Sequence, residues 1–319
     1  MAAYVARRLL WAVVLLFLVS AVAFAIFYVL PTGDPALARA GRQPTPQLVE
    51  AIREDLGLNR SLVAQYGEYM GDLVLHLDFG HSYTSNSDVL DQILDRLPAT
   101  LQLTFGAAVL WLLAGIPLGI LGAVRRGSLA DRASTVAALV AVSAPVYWLG
   151  LVALYLFAED VGVWGVLPGV GGYGEAEGTA GRLESLILPW LVLAASFAAI
   201  YARFVRGSLL DVLDEDYVRT ARAKGLRERR VVLGHGLHSA ATPVVTLLGL
   251  DIGLLLGGAV LVETVFNIPG VGRLAYDAIR GGDLPMIQGT VLFAAFFIVI
   301  ANLVVDLVYS WLDPRVRHA

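Results

Sequence analysis

Cysteine is absent from the sequence, which excludes a disulfide framework, a thiolate metal site and a cysteine nucleophile. Lysine is nearly absent as well: of 23 basic residues, only Lys224 is a lysine. A phosphate-binding P-loop requires Gly-Lys-Ser/Thr, and the one lysine stands in Ala223-Lys224-Gly225, so the chain carries no such loop. His-Glu-x-x-His and Gly-x-Ser-x-Gly are missing too, and the five histidines are too scattered to suggest a metal site. Neither a catalytic nor a metal-ligating residue is expected. Charge is also scarce: charged residues make up 16%, against about 25% in an average soluble domain. Hydrophobic residues reach 57% and mean hydropathy +0.71, which points to an all-α polytopic membrane protein.

A membrane span needs about 20 apolar residues with few charges. Six runs meet that need, at about 9–30, 99–124, 133–158, 185–205, 241–266 and 286–312, with Asp251 and Glu263 in the fifth and Asp306 in the sixth. The first run, behind Arg7 and Arg8, could be a signal peptide. Its 22 uncharged residues exceed an h-region of roughly 7–15, and Thr32-Gly33-Asp34-Pro35 is a poor cleavage site, so a signal-anchor is preferred. Helical spans also tolerate Pro117, Pro145, Pro189 and Pro243, because neighbouring helices cover the lost hydrogen bonds. With both ends cytoplasmic, fifteen basic residues fall inside and eight outside, while seventeen acids fall outside. The positive-inside rule therefore predicts two cytoplasmic termini.

The domain reading follows. Residues 1–98 comprise the anchor and an extracytoplasmic segment, 31–98, too long for a simple loop. Thr45 and Pro46 open a predicted helix there, and Gln65 to Leu77 predicts a second. Residues 99–319 form a core of five spans with a cytoplasmic loop at 206–240. That loop is the most informative stretch of the chain. Leu209, Leu213, Tyr217 and Ala221 fall at i, i+4 spacing and predict one helical stripe. Asp214, Glu215 and Asp216 precede Arg222 and Lys224, matching the helix dipole, and Gly225 supplies a left-handed cap. Leu226 to Leu237 is expected as a second short helix. The exposed ridge would carry Thr220, Ala221 and Ala223 between Arg219 and Arg222, a surface suited to a partner's groove. The alternatives are a solvated loop and a basic helix lying on anionic lipid.

Arg219-Thr220-Ala221-Arg222-Ala223-Lys224-Gly225 resembles the EAA loop of binding-protein-dependent ABC permeases, in the form typical of the dipeptide/oligopeptide (and nickel) subfamily. Arg219 departs from the usual Glu, and His238 stands where many such permeases have Pro. The resemblance extends over nearly the whole chain: Tyr4, Arg7 and Arg8; Gly33-Asp34-Pro35; Leu56-Gly57-Leu58 and Tyr66; Asp78-Phe79-Gly80-His81-Ser82-Tyr83, with Leu77 replacing a Gly; Leu97 to Leu101; Val262-Glu263-Thr264-Val265-Phe266; Pro269 to Gly272; and Leu312 to Arg317. It implies a B-type permease subunit in a prokaryotic plasma membrane, paired with a homologous second permease. It further implies two cytoplasmic ATPases that bind ATP-Mg and an extracytoplasmic solute-binding protein, with no cofactor on this chain. The loop would be the ATPase-coupling element, through Asp216, Tyr217, Arg219, Thr220, Ala221, Arg222, Lys224 and Gly225. The implied cargo is a di- or oligopeptide, with nickel or another small solute as the alternative within the family. An ATP-independent secondary transporter is the alternative outside it, though no clear internal repeat supports one; a signalling scaffold is a third.

Ionisable groups inside membrane helices are functional candidates. Asp251, the deepest, is either a pore-facing carboxylate or a buried acid bonded to its neighbours. Glu263 and Asp306 lie near span ends, where snorkelling or capping is expected. Ser143, Tyr147 and Asn302, with Trp148 beside them, are candidates for a polar translocation path, the alternative being packing or interface anchoring. Gly253, Gly257 and Gly258 are expected to permit close helix packing. An acidic outer face favours cationic solutes, or reflects only a general surface bias.

Overall fold

The computed structural model describes residues 2–29, 36, 37, 40, 44–55, 57–129, 131, 132, 136, 139, 140 and 143–312. Gly33-Asp34-Pro35, Leu56, the Asp306 side chain, most of 133–142 and the Asp313–Arg317 motif lie outside the described residues.

Helices dominate, and the described residues contain only two isolated β-bridges, His81 with Asp88 and Ala158 with Leu167. The helices are α1 (Ala2–Phe24), α2 (Pro46–Asp55), α3 (Leu62–His76), α4 (Val89–Val124), α5 (Val146–Phe157) and α6 (Gly178–Ser185). They continue as α7 (Ile187–Leu213), α8 (Asp216–Ala223), α9 (Glu228–Leu256), α10 (Val260–Val265), α11 (Val271–Gly281) and α12 (Leu284–Leu312). Five are long and apolar enough to cross a membrane: Ala6–Phe27, α4, α7, α9 and the Leu284–Val305 part of α12. α5 is apolar but shorter.

Three expected boundaries differ. The run expected from 99 begins ten residues earlier, at Val89, because Val89 and Ile93 are fully buried against Val271, Leu274 and Ile287. The run expected at 241–266 breaks after Leu256. Gly258, at φ +123°, packs backbone to backbone on Gly272, and α10 starts beyond the break. The short helix expected at 226–237 is instead the first part of α9, whose π-turn at Val231–Gly236 carries the chain straight into the span.

Small residues set the closest seams, as expected where helices pack in lipid without a hydrophobic driving force. In the α4–α7 seam, a Cβ on Gly106 would overlap the Trp190 indole, whose Nε1–H donates to the Gln102 carbonyl at 3.0 Å. Gly115 and Gly119 face Ala198, Tyr201, Ala202 and Val205. Gly249, Gly253 and Gly257 make the α9–α12 seam against Val305, Ala301 and Ala294. On another flank α3 rests on α1, where Ser20 and Tyr66 share a 2.7 Å hydroxyl contact beside Phe24.

The α4–α7 seam yields a signed prediction. Gly→Ala in a helix gains about 1 kcal/mol of propensity. At Gly119 the new Cβ would lie 2.6 Å from Val205 Cβ and 2.7 Å from the Ala202 carbonyl, and such overpacking costs about 1–3 kcal/mol. Gly71 in α3 has nothing within 4 Å. Gly119→Ala is therefore expected to lower the thermal midpoint in detergent and Gly71→Ala to raise it; matching shifts would show that the seam is not close-packed.

Candidate functional site

The hydrophilic stretch between α7 and α9 is built as a seated helix. At eight residues α8 is too short to hold on its own. Val218, completely buried, and Ala221 plug it into an apolar cluster of Ala123, Leu209, Leu213, Val231, Val232 and Ala240. Outside lipid, burying one valine contributes about 1.5–3 kcal/mol towards ordering so short an element. Glu215 caps its start with extended backbone. Gly225, at φ +75°, ends it and donates its N–H to the Arg222 carbonyl at 2.9 Å.

This architecture corrects the expected stripe. α7 stops at Leu213 and α8 begins at Asp216, so Leu209, Leu213, Tyr217 and Ala221 do not share one helix. The buried face is Val218 and Ala221, and Tyr217 is exposed, its hydroxyl donating to Ser239 Oγ at 2.9 Å. Ala221 belongs to the seat, not to the exposed ridge. The exposed residues are Asp216, Tyr217, Arg219, Thr220, Arg222, Ala223, Lys224 and Gly225. Arg222 ties the loop together: its guanidinium holds Glu228 at 2.8 and 3.2 Å and donates to the Leu213 carbonyl. That pairing pulls the Glu228 carboxyl below its ordinary range. Arg219 reaches Asp216 only at 3.4 Å, with both side chains mostly in solvent, a contact worth about 0–1 kcal/mol.

Three carboxylates are buried among the described residues, at Asp131, Glu263 and Asp283. Asp131 sits beside the α8 seat. Arg206 of α7 grips it bidentately, Nε to Oδ1 at 2.7 Å and Nη2 to Oδ2 at 2.9 Å. The Gly127 N–H donates to Oδ2 at 2.9 Å and Ser128 Oγ accepts the Asp131 N–H. The guanidinium and then the Gly127 N–H hold the carboxyl down to about 2, so it is ionised at any physiological pH. Glu263, completely buried on α10, accepts from Thr100 Oγ1 and from the Arg273 N–H, both at 2.8 Å. Thr100 Oγ1 in turn accepts the Val271 N–H at 2.9 Å, so the two side chains cap the start of α11. Asp283 precedes α12 and accepts from the Tyr83 and Thr84 N–H groups, from both the Ser82 and Thr84 hydroxyls, and from the Met286 N–H.

The candidates for a path are placed apart. Ser143 and Tyr147 line an open groove of about 540 Å³ with Leu139, Val140, Pro145 and Trp148, and the Ser143 hydroxyl donates to the Leu139 carbonyl at 2.8 Å. Asp251 is half-buried at the α7–α9 seam and accepts from the Tyr201 hydroxyl at 2.8 Å. Asn302 is exposed on α12. Gly253, Gly257 and Gly258 are each found at a close backbone approach, as expected.

Long apolar helices joined by small-residue seams, with an exposed short helix on an apolar seat between two of them, define a polytopic membrane protein. A family profile for the binding-protein-dependent transport system inner membrane component matches residues 115–318, and one for the N-terminal region of such membrane components matches residues 1–104. The glutathione transport system permease protein GsiC of Escherichia coli (strain K12) is 42% identical over 315 residues, covering 99% of both chains. GsiC of Shigella dysenteriae serotype 1 and of Shigella boydii serotype 4 match at the same identity and coverage. The chain belongs to the family of binding-protein-dependent transport system inner membrane components. It is the permease component of an ABC importer, a transport subunit and not an enzyme.

Proposed function

We propose that α8 is the coupling helix of a peptide importer, docking in a cleft of a cytoplasmic ATPase through Asp216, Tyr217, Arg219, Thr220, Lys224 and Gly225. The observation that carries this is the division of labour within the loop. Val218 and Ala221 anchor the helix, while its exposed residues are polar or small apart from Tyr217. A helix held firmly from behind and bare in front can pass a push to the bundle. Arg222 contributes by bracing the loop against Glu228 and Leu213.

In this reading six helices span a prokaryotic plasma membrane, the sixth being the run that ends in α5, and both termini are cytoplasmic. The distribution of basic residues supports that orientation. The chain pairs with a homologous permease, two ATPases carrying ATP-Mg and an extracytoplasmic solute-binding protein, and it holds no cofactor itself. ATP-driven closure of the ATPases biases a two-state equilibrium of access. Asp251 with Tyr201, and the groove at Ser143 and Tyr147, supply polar groups for the path, with Asn302 on α12. The relatives named for glutathione transport, glutathione being a tripeptide, support a short peptide-like cargo.

Gly225 provides the test. An aspartate there would take up a left-handed backbone and put an acid on the docking ridge. Gly225→Asp is expected to insert in the membrane and to abolish ATP-dependent uptake of radiolabelled glutathione or trialanine into proteoliposomes. The parent is expected to co-purify with an ATPase pair. Uptake by the purified chain alone, driven by an ion gradient, would overturn the reading.

A further inference from the structure

We infer that Asp131 and Arg206 form a latch that makes α7, the exit of α4 and the turn at 125–128 move as one body with α8. The inference rests on the proposed docking of α8 and adds positioning residues behind it. Arg206, Leu209 and Leu213 fall at i, i+3 and i+7 on one face of α7. Leu209 and Leu213 meet Val218 and Ala221 in the seat, while Arg206, about one turn earlier in α7, meets Asp131. The fold leaves room for that pair: a Cβ on Gly122 would come within 3.1 Å of Arg206 Cδ and 3.3 Å of Asp131 Oδ1.

Directionality separates the latch from the seat. Apolar contacts such as Val218 against Leu209 are non-directional and can slide under load. A bidentate guanidinium–carboxylate pair fixes both distance and plane, and this one carries a backbone N–H on the same carboxylate. The other two buried acids are held by hydroxyls and backbone N–H groups at helix starts. Asp131 alone of the three is held by a charged side chain from another helix. A push on α8 therefore reaches α7 and, at Ala123, the last turn of α4 through the seat, and Arg206 carries it on to Asp131 beyond the α4 exit.

The cysteine-free sequence allows a direct test in the assembled transporter. Spin labels are placed at Glu215→Cys at the start of α8, outside the set of docking residues, and at Leu129→Cys, which is 83% exposed just after the 125–128 turn. The distance between them is measured at rest and after trapping the ATPases with Mg-ATP and orthovanadate. In the parent the distance is expected to stay the same in both states. In Asp131→Asn and Arg206→Lys it is expected to shift or broaden on trapping, and glutathione moved per ATP hydrolysed should fall about two- to thirtyfold, the scale of mutational changes in site-to-site coupling. The swap of Asp131→Arg with Arg206→Asp should recover part of that loss. A parent distance that changes on trapping, or variants that match the parent in both readouts, would overturn the latch. Loss of ATPase co-purification in all three variants would also overturn it, marking the pair as a structural strut. A parent that fails to recruit ATPases, or a Gly225→Asp variant that couples fully, instead sinks the docking of α8, since both carry an intact Asp131–Arg206 pair.

Discussion

Replacing Asp283 with alanine is expected to cost about 3–5 kcal/mol, because several donors lose their one shared acceptor at once. The carboxylate is 1% exposed and gathers five donors, four of them from the turn at 82–84 and one from the first turn of α12. Ser82 and Met286 are buried, and each such donor left without an acceptor costs about 1–3 kcal/mol; Thr84 is exposed, so its two donors add less. Against a total stability of about 5–15 kcal/mol, this is a large share. Two neighbours make Asp283 hard to replace. Gly282, at φ +66°, ends α11 immediately before it, and Pro285, which has no N–H, stands in the second position of α12 where no donor is needed. Asp283→Asn keeps one oxygen but turns an amide NH₂ towards donors, so a loss of about 1–3 kcal/mol is expected. Thermal unfolding in detergent reads the global effect. Hydrogen exchange at residues 80–88 reads the local one and should rise by more than exchange in the α4–α7 seam. An alanine variant within about 0.5 kcal/mol of the parent, with unchanged exchange at 80–88, would refute the clamp; surface sites away from such features behave that way.

Asp283 also illustrates what the sequence leaves unread. Apolar runs near 9–30, 99–124, 185–205, 241–266 and 286–312 each overlap a long apolar helix, because the bilayer length requirement is local and strict. Gly225 as a left-handed cap is equally local and appears where expected. The partners of the buried acids are not legible in the same way, although capping is among the expectations for Glu263 and it does cap α11. Asp283 pairs with residues 199 to 201 positions away, Asp131 with one 75 away and Glu263 with one 163 away. No periodicity spans such distances. Local marks existed for two of them: Asp283-Leu284-Pro285 is a helix-start pattern, and Ser128 lies three residues before Asp131 as a cap. The α8 seat misled for another reason. Spacing at i, i+4 runs on through Leu213 and Tyr217, but the turn at Asp214 and Glu215 rotates the following helix, so Val218 turns inward in place of Tyr217. The break after Leu256 was masked because hydrophobicity continues through Val262, and only the Gly257-Gly258 pair marks it.

Glu263→Ala is expected to be the second largest loss, about 2–5 kcal/mol, and its chemistry separates capping from transport. The carboxylate stands at the start of α11, where the helix dipole favours negative charge, and it relieves the Arg273 N–H while Thr100 relieves that of Val271. Thr100 acts in both directions, its hydroxyl donating to Glu263 Oε1 and accepting from Val271. Gly270 is required beside it, since a Cβ there would overlap the Glu263 carboxylate. Glu263→Gln can keep most of the cap: its oxygen can accept from Arg273, and its NH₂ can donate to the second lone pair of Thr100. The glutamine variant should therefore lose only about 1 kcal/mol, on the scale of one net hydrogen bond. Thr100→Val removes the bridge, and combined with Glu263→Ala it should cost less than the two losses added, with a coupling of about 0.5–3 kcal/mol. Thermal unfolding of the four proteins in the cycle measures that coupling, and additivity within about 0.5 kcal/mol would rule out the shared cap. Glutathione uptake by Glu263→Gln then decides the acid's role. A stable variant that still transports leaves Glu263 as the cap that holds α10 against α11. A stable variant that does not transport means the charge itself is used as cargo passes.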